Sequence, residues 1–167
     1  MRPVPTRVGG IPIWYCGESE ASVRRAVDFA EGWMPGRITI ADFRNRVHLL
    51  RQLSDDRGRE TPTIGVIPLV SPGPSWEIGM ASVPWQEMMA FEFAEGQFDT
   101  PASGGWTSPK DLDGAILAGT PADILEGVHG YLDAGVEHLV FDLRARFADL
   151  DECLAALGEN VLPRLRG

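Results

Sequence analysis

Gly17, Glu18, Ser19 and Ser22 are the residues of this chain whose types and spacing point most directly to a chemistry. A glycine that lets the backbone turn sharply, followed by hydroxyls at a helix start, can gather an anion such as phosphate. The first-turn N–H groups have no intrahelical partner, and the positive end of the helix dipole lies there. Ser19 has a plainer use as well, because serine is a common N-cap. The residues alone leave both readings open.

Other chemistry is sparse. His48, His129 and His138 have no spacing that gathers them on one helix face, so no metal is expected. Cys16 and Cys153 lie far apart without a Cys-x-x-Cys, and they read as unpaired thiols. Asp142 and Arg144 close an apolar run, at the strand end where parallel barrels keep their active sites; a surface ion pair is the plainer account. No residue announces itself as a catalytic acid, base or nucleophile.

The turn is positioned by its neighbours. Residues 12–16 read as a strand, with Ile13, Trp14 and Tyr15 suited to a pleated buried surface, and residues 19–30 as a helix with Val23, Ala26, Val27 and Ala30 on one stripe. A short apolar stretch, 32–35, is the expected second strand. The spacing of Phe43, Val47, Leu50 and Leu53 predicts a helix over 41–57, with Arg44, Arg46, Arg51 and Asp55 on its opposite face. Residues 61–70 form a continuous apolar, β-branched run, as a strand buried on both faces should.

Residues 71–119 break the alternation with prolines and glycines, leaving one possible helix over 84–95. Trp76, Trp85, Trp106, Met80, Met88 and Met89 make this long loop either a satellite core or a lid or partner surface. Thr120-Pro121-Ala122-Asp123 opens the next helix with a cap, a proline and an acid in the first turn, and Gly135 suits its left-handed end. A strand over 136–143 and a helix over 148–165 follow. The order β-α-β-α-β-(long loop)-α-β-α predicts a parallel α/β sheet, as a small open sheet or as four βα units of a (βα)8 barrel.

Composition bounds the function. The 167 residues, 44% hydrophobic, suit one domain, and 15 Lys plus Arg against 24 Asp plus Glu give a net charge of −9. Nucleic acid is therefore an unexpected partner. No segment reaches eighteen apolar residues and no apolar region follows the first basic residues, so no membrane association is expected and the cytoplasm is the expected compartment.

Four segments, in order, resemble the C-terminal half of the luciferase-like monooxygenases, which use FMN or the deazaflavin coenzyme F420. They are Pro12-Ile-Trp-Tyr-Cys-Gly-Glu-Ser19, Arg25-Ala-Val-Asp-Phe-Ala-Glu-Gly-Trp-Met-Pro35, the pair Leu117–Ile124 and Tyr131–Val140, and Val161-Leu-Pro-Arg-Leu-Arg166. Glu31 stands where the family usually has aspartate. The resemblance implies a partial TIM barrel, a single half-barrel domain over 1–167 with the 71–119 excursion inside it. It places the cofactor's phosphate on Gly17, Glu18, Ser19 and Ser22, and lets Tyr15 and Trp33 line the flavin or deazaflavin ring, although core packing is the plainer role for a Trp on a short strand.

The family's chain is about twice as long. The resemblance thus implies the cofactor-phosphate half of an oxidoreductase (monooxygenase or hydride transfer), whether a natural short gene, a split enzyme or a truncated one. The alternative is a non-catalytic half-barrel serving as a binding or assembly subunit. Four parallel strands leave two open edges, so a homodimer or a separate N-terminal-half chain is the expected partner. The alternation of Ile13, Tyr15, Ile64, Val66, Leu139 and Phe141 is expected to direct one apolar set toward the barrel's centre.

Overall fold

The computed structural model describes residues 7, 9–93, 96 and 98–165. Most of the 1–10 lead-in, the end of the expected 84–95 helix and Arg166 lie outside them. Among these residues the strands are β1 (Trp14–Cys16), β2 (Gly32–Met34), β3 (Thr63–Val66), β4 (Leu69–Pro72), β5 (Ile116–Gly119) and β6 (His138–Leu139). The α-helices are α1 (Glu20–Phe29), α2 (Ile40–Asp56), α3 (Trp76–Ala81), α4 (Trp85–Met88), α5 (Pro121–Ala134) and α6 (Leu150–Asn160). Four parallel strands form one sheet in the order β1-β2-β3-β6, and β4 and β5 form a second parallel pair.

Local signals place the helix ends. The Ser19 and Thr39 side chains cap α1 and α2, Thr120 and Asp123 form a reciprocal capping box on α5, and Gly135 ends α5 at φ 97°. Val23, Ala26 and Val27 of α1, Phe43, Val47 and Leu50 of α2, and Ile124, Val128 and Tyr131 of α5 join Trp33, Ile64 and Val66 in one buried cluster. Trp33 stacks on Phe43, whose ring meets Tyr131 edge-on, and the Tyr131 hydroxyl donates to the Ile38 carbonyl at 2.6 Å. That burial pushes the Tyr131 phenol above its ordinary range, so it stays a donor.

Several expectations are corrected. The 61–70 run is two strands, because the chain leaves the main sheet at Ile67-Pro68 and pairs next with β5. The 71–119 excursion carries α3, α4, a π-helical turn over Met89–Phe93, a 3-10 turn over Pro109–Leu112 and strand β5. Its Met80, Met88 and Met89 are buried, and Phe93 packs on Phe98 and Trp106 at 4.5 and 4.8 Å; these side chains join the main core cluster, so the expected separate satellite core is not what forms. The last strand is shorter than 136–143, and the 148–165 helix is α6 flanked by 3-10 turns at Arg144–Asp149 and Leu162–Leu165.

The faces of the sheet are also reversed from expectation. Tyr15 contacts Phe29 of α1 edge-on and Trp33 stacks on α2, so the register carries Tyr15, Trp33 and Ile64 on the helix side. Alternation fixes which residues share a face; it does not say which face the helices cover. On the inner side Trp14 lies across the sheet, its ring so close that a Cβ on Gly32 would sit 2.3 Å from it and one on Gly65 3.0 Å. It meets His138 of β6 edge-on at 5.4 Å between ring centres. The indole therefore covers part of the inner face, on which Cys16 and His138 remain exposed.

Gly32→Ala should accordingly force Trp14 off the sheet and cost about 1–3 kcal/mol, the usual range for overpacking. The denaturation midpoint measures it, and loss of near-UV dichroism reports the freed indole. An unchanged midpoint would mean that the indole has another place to rest.

Candidate functional site

The β1–α1 turn is held from three sides. Gly17 has φ 134°, and a Cβ there would lie 2.9 Å from the Ser22 Cβ, so both conformation and space call for glycine. Its carbonyl accepts from the Trp33 indole N–H at 3.0 Å, and the Glu18 carbonyl accepts from Arg46 Nε at 3.1 Å. The Glu18 carboxylate turns away from the helix head, its Oε1 accepting from the Gly36 N–H at 2.8 Å. Glu18 can thus sit in an anion-binding turn without its charge facing the anion.

The two serines are not equivalent. Ser19 Oγ accepts from the Ser22 N–H at 3.2 Å, and its own hydrogen has only a long 3.5 Å contact with Ser22 Oγ. Ser22 Oγ donates to the Ser19 carbonyl at 2.6 Å. Ser19 can therefore cap the helix and donate outward at once, whereas Ser22 must rotate to donate. Ahead of them are the N–H groups of Glu20 and Ala21, the first two of α1, which have no helical partner. Gly17, Ser19, Ser22 and these N–H groups fit a phosphate: the turn supplies donors and a bare α-carbon beside them.

The six residues singled out by sequence are brought together only in part. Gly17, Glu18, Ser19 and Ser22 share the turn. Trp33 is wholly buried in the helix layer, and Tyr15 is half-buried there with its hydroxyl accepting from Arg25 at 3.2 Å. What Trp33 offers the site is its bond to Gly17; Tyr15 points to α1.

At the C-terminal ends of β1, β2, β3 and β6 lies a cavity of about 370 Å³, lined by Glu18, Arg37, Glu92, Asp142 and Arg144 with Ile67, Phe91 and Phe98 among others. Arg37 makes a bidentate pair with Glu92, at 2.7 and 2.8 Å, and approaches Asp142 at 3.6 Å. Arg144 Nη2 donates to Asp142 at 2.6 Å. Hydrogen bonds from Arg144 hold the Asp142 carboxyl below the usual carboxylate range, with Arg37 adding to it. The Asp142–Arg144 pair is half a surface pair, since the Asp142 side chain is 6% exposed and the Arg144 side chain 69%. A larger hollow, about 800 Å³, runs along α5 past Arg44, Asp113 and Arg164 and lies away from these strand ends.

Sequence reasoning missed Arg37, Glu92 and Arg46. Arg46 is buried with Asp42, not on the solvent face of α2; the acid-base pair at i and i+4 beside the Phe43–Val47 stripe was the available signal. Glu92 reaches Arg37 from 55 residues away, and nothing local foretells that.

Comparison with known proteins agrees with this geometry. The coenzyme F420-dependent tetrahydromethanopterin reductase from Methanopyrus kandleri superposes with TM-score 0.70 and 15% identity, over 92% of this chain and 51% of that one. A monooxygenase, RslO1, from Streptomyces bottropensis gives 0.65 and 16%, over 98% and 51%. The oxygenating constituent of 3,6-diketocamphane monooxygenase from Pseudomonas putida, in complex with FMN, gives 0.64 and 15%, over 93% and 49%. The chain spans about half the length of each, so the common fold is a partial barrel. No curated protein matches by sequence. No helix among the described residues is long and apolar enough to cross a membrane. The parallel βα order, the glycine-serine turn at the head of α1 and the half-length superposition are accompanied by a match of residues 1–138 to the sequence profile of the luciferase-like monooxygenases, and the chain belongs to that family.

Proposed function

We propose that this chain is the cofactor-phosphate-binding half of a flavin- or deazaflavin-dependent oxidoreductase, acting in the cytoplasm and completed by a second half. The observation that supports it is the β1–α1 turn, where Gly17, Ser19 and Ser22 head an unblocked helix while Glu18 is tied back to Gly36. FMN and F420, named with two of the superposing structures, both carry the phosphate that this turn suits. When bound, such a cofactor supplies hydride transfer or oxygen activation; the chain supplies binding and orientation. The Ser19 hydroxyl and the N–H groups of Glu20 and Ala21 hold the phosphate, and Trp33 and Arg46 hold the turn.

A second reading, a binding or assembly subunit without turnover, is favoured by the strand-end cavity. Among the described residues that line it, both guanidiniums are paired with carboxylates of the same chain.

Calorimetric titration with FMN tests the turn. Ser19→Ala together with Ser22→Ala should weaken binding, with Ser19 carrying more of the loss, at about 0.5–1.5 kcal/mol for its hydrogen bond. Removing the cap also costs α1 about 1 kcal/mol of stability, so helicity is checked in parallel. Unchanged affinity in a folded double variant would falsify the phosphate assignment. Binding without any turnover on adding reductant or oxygen favours the second reading.

A further inference from the structure

The strand-end cavity holds two ion pairs that differ in how firmly they are made. Arg37 donates two parallel bonds to the Glu92 carboxylate, at 2.7 and 2.8 Å, and Arg144 donates three to Asp142 from its side chain. The Arg37 pair is the looser one. The Asp142 side chain is 6% exposed and also accepts the Arg144 backbone N–H at 3.1 Å, whereas the Glu92 side chain is 36% exposed and stands on the π-helical turn Met89–Phe93. That turn is anchored through Met89 and Phe93, which are buried, so the Glu92 side chain can swing toward water on its own torsions. Arg37 is fixed on both sides: the Gly36 N–H donates to Glu18 at 2.8 Å, and the carbonyl of buried Ile38 accepts from Tyr131 at 2.6 Å. Asp142, 3.6 Å from Arg37 Nη1, keeps the guanidinium aimed at the cavity.

A guanidinium held in this way faces a hollow of about 370 Å³ with Ile67, Phe91 and Phe98 in its walls. Its fork matches the two oxygens of a carboxylate, and a hollow of that size with apolar walls suits a small ring or alkyl body. The charges of the lining set how many carboxylates can enter. Glu18, Glu92 and Asp142 stand there against Arg37 and Arg144, so a ligand with one carboxylate leaves the balance unchanged when Glu92 withdraws. A second carboxylate would lie beside Glu18 and Asp142 with no cation to meet it.

We propose that the strand-end cavity takes a small aromatic or aliphatic monocarboxylate, which displaces Glu92 from Arg37 and pairs with the guanidinium in the same bidentate geometry. Glu92 is then a competitor built into the chain, and Arg37 sets the class of substrate. Arg144 cannot take that part, because releasing Asp142 would strand a buried charge, whereas Glu92 goes to water. The inference rests on the oxidoreductase reading above for calling the ligand a substrate, but the exchange at Arg37 needs neither Ser19 nor a bound phosphate.

Calorimetric titration with benzoate tests the exchange. Glu92→Gln keeps the shape of the side chain and removes its charge, and it should tighten benzoate binding by at least about tenfold over the parent. Adding Arg37→Gln should abolish that gain, and adding Arg37→Lys, which keeps the charge but not the fork, should remove most of it. Benzamide, the same ring without the charge, should gain nothing from Glu92→Gln, and phthalate, with a second carboxylate, should bind more weakly than benzoate. Urea midpoints check that each variant is folded, and the lysine variant serves if the glutamine one is not. Benzoate that fails to bind Glu92→Gln at millimolar concentration overturns the proposal, as does a gain shared by benzamide or one that survives both Arg37 substitutions. FMN titration of the same samples separates the two readings. A Glu92→Gln protein that binds benzoate but not FMN keeps the exchange and defeats the phosphate turn; one that binds FMN but not benzoate does the reverse.

Discussion

Trp33→Ala is expected to lower the stability of the fold by about 3–5 kcal/mol, read from the urea midpoint, because it empties a fully closed site. Trp33 has no exposed surface, stacks on Phe43 at 5.8 Å between ring centres, and donates its indole N–H to the Gly17 carbonyl at 3.0 Å. The substitution therefore opens a cavity between β2 and α2 and releases the turn at the head of α1. Against a total of roughly 5–15 kcal/mol for a domain, a loss of that size leaves little margin. Trp33→Phe separates the two effects: it keeps most of the apolar volume and removes the donor, at about 1 kcal/mol. FMN affinity should fall in the Phe variant through a loosened Gly17 while helicity is kept. A Trp33→Ala protein within 1 kcal/mol of the parent would show that the neighbours collapse into the space, and that the indole is no keystone.

Much of this arrangement was legible in the sequence. The strand Trp14–Cys16, the turn at Gly17 and the caps at Ser19 and Thr120 depend on residues next to one another in the chain, and the structure places them within a residue or two of the expected limits. What was not legible depends on distant partners. Strand β5 hides inside a proline-rich excursion because its four residues become a strand only by pairing with β4, more than forty positions earlier. The break at Ile67-Pro68 lies within one apolar run, where hydrophobicity is blind to a change of sheet. Periodicity grouped Tyr15 with Ile64 but could not tell that the helices cover that side, so the inward-facing residue proved to be Trp14. The candidate site divides the same way. Gly17 to Ser22 is a local motif, whereas Arg46, Arg37 and Glu92 reach the strand ends through long side chains from other elements.

Asp142→Ala should cost about 2–3 kcal/mol, less than the ~3–5 kcal/mol of a fully buried ion pair because Arg144 is largely in solvent. The carboxylate is 6% exposed, takes three hydrogen bonds from the Arg144 side chain between 2.6 and 3.0 Å, and faces Arg37 at 3.6 Å. Its backbone also ties β6's continuation to β4, with the Asp142 N–H donating to the Pro68 carbonyl at 3.0 Å and its carbonyl accepting from the Val70 N–H at 2.8 Å. Alanine keeps those backbone bonds, so the loss reports the charge. Hydrogen bonds from Arg144 hold the folded carboxyl below its ordinary value, so the unfolded chain takes up the proton first as pH falls. The stabilisation is therefore complete above an unfolded pKa near ~3.9 and is lost as pH falls through the lower folded value. Wild-type stability should drop below about pH 4 more steeply than that of Asp142→Asn, which has no proton to take up. Arg144→Ala should cost a comparable amount, because it removes three hydrogen bonds from a carboxylate that stays buried. If Asp142→Asn follows the wild-type acid curve without a difference in slope, the carboxylate is not what holds Arg37 and Arg144 at the ends of the strands.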